Sequence, residues 1–469
     1  PVLSQRFRDI QLTLSQRVGE SLFLEAAADV NQDQLFGMGI GGRGLTNILI
    51  DINRVQPTGE PNPNFLQPYV EGNAANRNNY TFSFYSVRAA AAYVMKPTRF
   101  GTFSFNVMGG GTRAVRDQEW RVLSMATAPD PREWGILINS IVQNVRFRYY
   151  MNEPHRPMPD LSKRAVRYID PVAGTSRDIR PIWAVATDRT DTQATDISET
   201  KYVIVAGNAK FFKDRLVVLG ALRKDHFNFR VHRTLDLGDY PRDWDGLTRF
   251  HRPEAPADYY SLMYQPRNPD GTPSGPLREA ANRPRIGALR DRDPLYANDR
   301  FKDDYNVPVV KGDQLSRSIG AVAHVAPWFN PFFNYAESFN PPDGTVRINN
   351  QSRGPTEAWG RDYGVRFELF NQRLNLSALA YKASEDNAIE GTATPPFNTL
   401  YGANAVGDQS LTGRNIRGVA DLPSLYRDSR SRINEGYEFE AVWNPLQGFR
   451  VTANYARPKT GFGNRFPEV

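Results

Sequence analysis

Hydrophobic and polar residues alternate with period two in six stretches of the chain, and each stretch reads as two strands joined by a short turn. In the first, Ile10, Leu12 and Leu14 alternate with Gln11, Thr13 and Ser15; Arg17-Val-Gly-Glu20 reads as a turn, and Leu22, Leu24, Ala26 and Ala28 carry the apolar face onward. The second runs through Tyr80, Phe82 and Phe84, turns near Lys96 to Thr98 and returns through Phe103, Phe105 and Val107. The third pairs residues 200–212 with 216–228 across Lys213-Asp-Arg215. The fourth pairs 315–325 with 329–339 across Ala326-Pro-Trp328, where proline is tolerated because the turn needs no ladder donor. The fifth sets Tyr363, Val365, Phe367 and Leu369 against Asp362, Arg366 and Glu368, turns at Asn371-Gln-Arg373 and returns along Leu374, Leu376, Ala378 and Ala380. The sixth opposes Tyr437, Phe439, Ala441 and Trp443 to Glu438 and Glu440, turns at Asn444-Pro-Leu-Gln-Gly448 and continues through Phe449, Val451, Ala453 and Tyr455. The hairpins lie near residues 7–30, 79–113, 199–229, 313–339, 359–382 and 433–457, about twelve strands in all.

Within each hairpin the turn is short, whereas the segments between hairpins run from roughly 20 to roughly 90 residues, beyond the usual loop of a compact domain. A sandwich or propeller mixes connection lengths at both ends. A barrel in the outer membrane has short periplasmic turns at one end and long external loops at the other. The pattern therefore predicts an all-β fold, an antiparallel transmembrane β-barrel with long external loops spanning residues 1–469. Charge decides the faces: Arg366, Glu438, Glu440 and Arg450 lie on the mixed face, and Arg or Lys at mid-bilayer costs ~2 to 4 kcal/mol, so the apolar face is assigned to lipid. Phe212, Trp328, Phe329, Phe370, Trp443 and Phe449 beside the short turns, and Tyr80, Tyr335, Phe339, Tyr381 and Tyr455 toward the far ends, are assigned to two interfacial girdles.

Composition narrows the function without naming it. The 469 residues contain no cysteine, which excludes a disulfide framework, a thiolate metal site and a cysteine nucleophile. The 58 basic and 51 acidic residues are interspersed, so the net charge of +7 reads as mixed solvated surface and no nucleic-acid partner is expected. No run approaches the ~20 apolar residues of a transmembrane helix; the longest, Ala89 to Met95, is far shorter. Gly37-Met-Gly39-Ile-Gly-Gly42 matches a dinucleotide fingerprint in letters only, because polar Asn31-Gln-Asp-Gln34 precedes it where a buried strand is required; it is expected in a flexible external loop. His155, His226, His232, His251 and His324 show no zinc-binding spacing, and His226 with His232 is the nearest pair. Asp188, Asp191 and Asp196, and Asp299, Asp303 and Asp304, lack the spacing of a calcium loop. No nucleophile elbow or facing carboxylate pair is present, so no enzyme activity, catalytic residue, metal or cofactor is expected. The long loops carry Trp120, Trp134, Trp183 and Trp244 with Arg148, Arg180, Arg242 and Arg249, residues that suit either binding or loop packing.

Three segments in order carry a family resemblance: Asn334-Tyr-Ala-Glu-Ser-Phe-Asn340, then Asp362-Tyr-Gly-Val-Arg-Phe-Glu368, then Asn434-Glu-Gly-Tyr-Glu-Phe-Glu440. The last third of the chain resembles TonB-dependent receptors, with Asp362 standing where that family usually has Glu. The resemblance implies a barrel of about 22 strands with a plugged lumen. It leads us to expect a partial barrel, with plug and closing strands outside this sequence. It further implies energy-coupled uptake of a large scarce solute, a metal chelate, a corrinoid or a glycan. The partners implied are outer-membrane lipid, a TonB-type energy-coupling protein acting through the N-terminal part, and a ligand the motifs do not identify. The matched motifs are structural and name no ligand-contacting residue. A passive porin-like channel and a soluble all-β binding or adhesion protein are the alternatives.

Overall fold

The computed structural model describes residues 2–41, 48–56, 58–134, 146–153, 163–169, 175–187, 193–280, 293–342, 354–390 and 428–464. Twelve long strands form one antiparallel sheet: β1 Val2–Val18, β2 Leu22–Gly41, β3 Pro68–Val94, β4 Gly101–Ser124, β5 Ala194–Phe211, β6 Leu216–Arg233, β7 Val310–Ala323, β8 Phe329–Asn340, β9 Thr356–Leu369, β10 Leu374–Glu390, β11 Asp428–Leu446 and β12 Phe449–Gly463. Each pairs with the next in chain order, and β1 and β12 do not pair with each other, so the sheet has two free edges. Short strands extend it at the loop end: Leu49–Ile50 and Arg146–Tyr150 on β3, and Ile182–Val185 on β4. Among the described residues there is no α-helix, and no helix is long and apolar enough to cross a membrane, which says nothing of strands.

Residues directly opposite in a ladder share a face, so the registers sort every strand residue. One row runs Phe367, Leu376, Ala441, Ala453 and another Val365, Ala378, Phe439, Tyr455. Val205 and Val107 lie on the same face, and Phe105, Tyr93, Leu22 and Val18 continue it to β1. The opposite face carries Arg366, Ser377, Glu440 and Asn454 in one row. It also holds Asp225, Phe227, Val231, Ser316 and Asn330, all buried, which marks it as the covered lumen side. The apolar face is the outer one; from Trp443 to Tyr437 it shows only Ala441 and Phe439 between its aromatic ends.

Two assignments change. Tyr80, Phe82 and Phe84 stand opposite Gln118, Arg116 and Ala114 on the lumen face, and the lipid face of β3 is Tyr85, Val87, Ala89, Ala91 and Tyr93. Alanines at 89–92 fall on both faces and erase the alternation that would have set the parity. Tyr381 likewise faces the lumen, its hydroxyl 2.8 Å from where a Cβ on Gly436 would stand, so glycine leaves the space the ring occupies. The outer girdle at the loop end is instead Tyr85, Tyr335, Tyr363, Tyr437 and Tyr455. At the turn end Trp328, Phe329 and Phe367 stack with centroids 5.4 to 6.3 Å apart. Phe212 and Phe370 begin turns in which three successive residues have positive φ, Phe212-Lys213-Asp214 and Phe370-Asn371-Gln372. Such strain is tolerated where the reversal is tight.

The glycine run Gly37–Gly41 continues β2 rather than forming a loop, while Gly42 lies outside the described residues. A glycine run inside an antiparallel strand is not the strand-to-helix turn that the dinucleotide fingerprint requires.

Candidate functional site: the loop canopy

All the long connections leave the sheet at one end, so whatever solute meets that end meets the loops first. Asp51, in the β2–β3 connection, is buried and acts as a staple. It accepts from Tyr150 Oη at 2.6 Å, Arg148 Nη1 at 3.0 Å and its neighbour Asn53. Tyr150 and Arg148 belong to the β4–β5 connection, and the Arg148 guanidinium also lies 4.6 Å over the Tyr69 ring at the top of β3. Two loops and one strand end thus converge on a single carboxylate. The Tyr150 hydrogen bond, outweighing the cost of burial, holds the Asp51 carboxyl well below the usual range.

That lowering has a sign. Its stabilisation is fully present above the unfolded value near ~3.9 and is lost only as pH falls through the lower folded value, so mild acid leaves the staple closed. Asp51→Ala removes the shared acceptor at a cost of about 1–3 kcal/mol. Amide exchange over 48–56 and 146–153 should rise in this variant at pH 7 while β8–β12 stays protected; equal exchange in both proteins would refute the staple.

A second junction is apolar. Trp134 and Val185 from the β4–β5 connection pack with Leu237, Tyr240 and Trp244 from the β6–β7 connection. Both indoles are satisfied, Trp134 Nε1 donating to Ala128 O and Trp244 Nε1 to Thr248 O, each at 2.7 Å. Gly246 has φ +74° and a Cβ there would stand 2.3 Å from the Trp134 ring, so only glycine fits the turn that closes on the indole. Burial pushes the Tyr240 phenol up, keeping it neutral. A third core, Tyr259, Leu262, Tyr264, Ala280 and Phe301, sits within the β6–β7 connection, and burial pushes Tyr259 up to about 12.

A family model described as "TonB dependent receptor-like, beta-barrel" matches residues 25–469. The chain belongs to that family. Members are receptors and transporters of the bacterial outer membrane. Similar solved structures include the ferric-catecholate import receptor Fiu from E. coli K12, at 12% identity and TM-score 0.46, covering 98% of this chain and 48% of that one. The siderophore receptor PiuA from Acinetobacter baumannii is 11% identical, TM-score 0.46, with 98% and 47% covered. BauA, the ferric preacinetobactin receptor from the same organism, is 9% identical, TM-score 0.44, with 97% and 46% covered. The chain spans about half the length of these structures. No curated protein matches it.

For this receptor barrel the tryptophans divide clearly. Trp134 and Trp244 are packing residues of the canopy, Trp183 lies on the short strand Ile182–Val185, and Trp120 stands on β4 rather than in a loop. Of the arginines, Arg249 pairs with Asp117 at 2.7 Å and Arg148 with Asp51; Arg180 is exposed. The histidines are scattered as their spacing suggests, and His226 and His232, the nearest pair in sequence, take different partners. His226 faces Asp313 at 3.2 Å, while His232 meets His251 with ring centroids 6.4 Å apart, because the bridge Thr234–His251 folds the loop back onto β6. Burial, with help from Arg249, pulls His251 down, which favours the neutral ring. His324 Nδ1 lies 2.6 Å from Asn330 Oδ1, and His155 lies outside the described residues.

Among the described residues no group of three His, Asp or Glu could hold a metal ion. The acidic patches are structural where described. Asp304 accepts from Phe301 N, Asp299 pairs with Arg267 and Asp196 with Arg116. Asp188 and Asp191 lie outside the described residues. The Asp51 staple has no signal in the sequence, where a lone Asp within Ile48-Leu-Ile-Asp-Ile52 has no partner at any local spacing.

Proposed function

We propose that this chain is part of the wall and loop canopy of an outer-membrane receptor that takes up a large scarce solute, of the metal-chelate, corrinoid or glycan class. A TonB-type protein would supply the energy through a segment beyond this wall. The observation that carries the reading is a one-ended architecture on a family-matched barrel: short reversals at one end, and at the other, loops locked together by the Asp51 staple and the Trp134 core. The packed junctions among the described loop residues suit selective capture, since a preorganised surface loses less entropy on binding than a loose one would. Charges on the lumen face are interspersed, as Arg366 and Glu440 in one row with Ser377 between them illustrate, which suits a wetted wall more than a nucleic-acid surface. No bond chemistry is assigned to any residue.

The test is uptake by cells carrying the protein with its native ends, supplied separately with radiolabelled ferric chelates, a corrinoid and an oligosaccharide, with and without an active energy-coupling complex. Uptake of one class that stops when coupling is removed supports the reading. Uptake indifferent to coupling would point to a passive channel, and absence from the outer-membrane fraction would sink the proposal.

A further inference from the structure

The strands of the sheet are not joined equally at the loop end. The β6–β7 ladder runs from Leu216 opposite Ala323 to Phe229 opposite Val310, and the β8–β9 ladder from Phe329 opposite Phe367 to Asn340 opposite Thr356, so both reach the loop ends of their strands. Between β7 and β8 the ladder runs only from Val322 opposite Phe332 to Ser318 opposite Ala336. Above that level, residues 310–317 of β7 and 337–340 of β8 have no ladder partner across the seam among the described residues.

Two side chains stand in for the missing ladder. The Glu337 carboxylate accepts from the Arg317 backbone N–H at 3.0 Å, where a carbonyl of β8 would otherwise stand, and from Tyr335 Oη at 2.7 Å. Beyond it the Phe339 ring lies against Phe227 of β6, with centroids 6.0 Å apart. Gly312, opposite Phe227 on β7, leaves room for that ring, since a Cβ there would stand 2.8 Å from it. Backbone groups of an antiparallel strand point to alternate edges, so Leu315, Asp313 and Lys311 turn theirs to the same side as Arg317, where no ladder takes them up. A joint made by one carboxylate and one ring pair opens more readily than a run of backbone hydrogen bonds.

Each side of the seam is held together by itself. Asn306, buried at the root of the β6–β7 connection, accepts from Arg233 N–H at 2.8 Å and donates to Arg252 O at 2.7 Å, and Arg252 N–H donates to Arg233 O at 2.8 Å. The connection is thereby fastened to the top of β6, and neither of its apolar cores includes a residue of β8–β12. On the far side, Arg430 pairs with Glu390 at 2.8 Å and Arg432 with Glu385 at 3.0 Å, tying β11 to β10 at the same end.

We propose that the wall hinges at this seam: β7 and β8 part above Ser318 and Ala336, with Glu337 as the latch, and the β6–β7 connection swings with β5–β7 away from β8–β12. Opening widens the loop end on one side of the canopy without breaking any ladder, the small angular change being absorbed where the ladder stops. The inference goes beyond the receptor reading and needs only the sheet and its registers.

The test uses the protein with its native ends in lipid vesicles, with cysteines introduced in pairs and spin-labelled at Lys311, Asn340, Lys201 and Asp386, all exposed positions. The pair 311/340 spans the seam, 201/311 lies within β5–β7, and 340/386 lies within β8–β10. The parent should show a minor longer distance for 311/340 and a single narrow distance for each of the other pairs. E337A removes the acceptor of the Arg317 N–H and should raise the longer fraction about tenfold, the size expected for one charge-assisted hydrogen bond. E337Q, which keeps a carbonyl acceptor, should stay nearer the parent, and F339A should shift toward the longer distance as E337A does. Retained heat-modifiable gel mobility shows that each variant folds. A 311/340 distance as narrow as the controls and unmoved by E337A and F339A overturns the proposal, and so does equal broadening of all three pairs, which is general loosening. Either result leaves the receptor reading standing.

Discussion

Ala378→Arg destabilises the folded barrel in a bilayer by about 2–4 kcal/mol, and Ser377→Arg, one residue along, costs far less. Ala378 lies on the outer row with Val365 and Phe439, midway between Leu374 at the turn and Lys382 and so near the middle of the apolar band, where a guanidinium must be drawn out of hydrocarbon. Ser377 lies opposite Arg366 and Glu440 on the lumen face, where water solvates the new charge. Urea unfolding of the protein with its native ends in lipid vesicles measures both. Equal costs for the two variants would mean that the faces are not distinguished by lipid.

Trp134→Ala removes about 3–5 kcal/mol from the contact between the β4–β5 and β6–β7 connections. The indole, equalled in size at that junction only by Trp244, faces the glycine turn at Gly246, which has no side chain to fill the space it leaves. The loss is local, because the sheet beneath is held by its own ladders. Amide exchange should rise over 125–134, 182–187 and 237–250 and remain unchanged in β8–β12, while gel mobility stays that of a folded barrel. Gly246→Val should reproduce the effect by pushing the same ring away. Protection lost throughout the sheet would show instead that the canopy supports the barrel, contrary to the packing.

The sixth hairpin shows why so much of the fold is legible. Tyr437, Phe439, Ala441 and Trp443 face one solvent and Glu438 and Glu440 another, and a period of two is the only backbone that separates them. The fifth hairpin turns at Phe370–Arg373, as the asparagine there suggests. Legibility ends where the two solvents become one. β3 begins at Pro68, well before the alternation does, because above the membrane both faces meet water or loop and only the backbone ladder continues. The parity of β3 is illegible for a related reason: aromatic Tyr80, Phe82 and Phe84 dominate the pattern, yet Tyr85, Val87, Ala89, Ala91 and Tyr93 make the lipid face while Ala90 and Ala92 lie on the other.

The canopy is less legible still. Asp51, Arg148 and Tyr150 meet across two long connections, and no local spacing announces such a contact. The tryptophans were visible, but whether each packs or binds depends on partners a hundred residues away in the chain.

The central claim is that one face of this sheet meets lipid and the other a wetted lumen. The chain has no cysteine, so single cysteines placed in turn along 436–443 report without background. With the protein in vesicles and each site spin-labelled, the decisive quantity is collision with oxygen, which concentrates in lipid, against a water-soluble nickel chelate. The account predicts oxygen preference at 437, 439, 441 and 443 and chelate preference at 438, 440 and 442. The same accessibility at successive positions, or the reverse alternation, would contradict it.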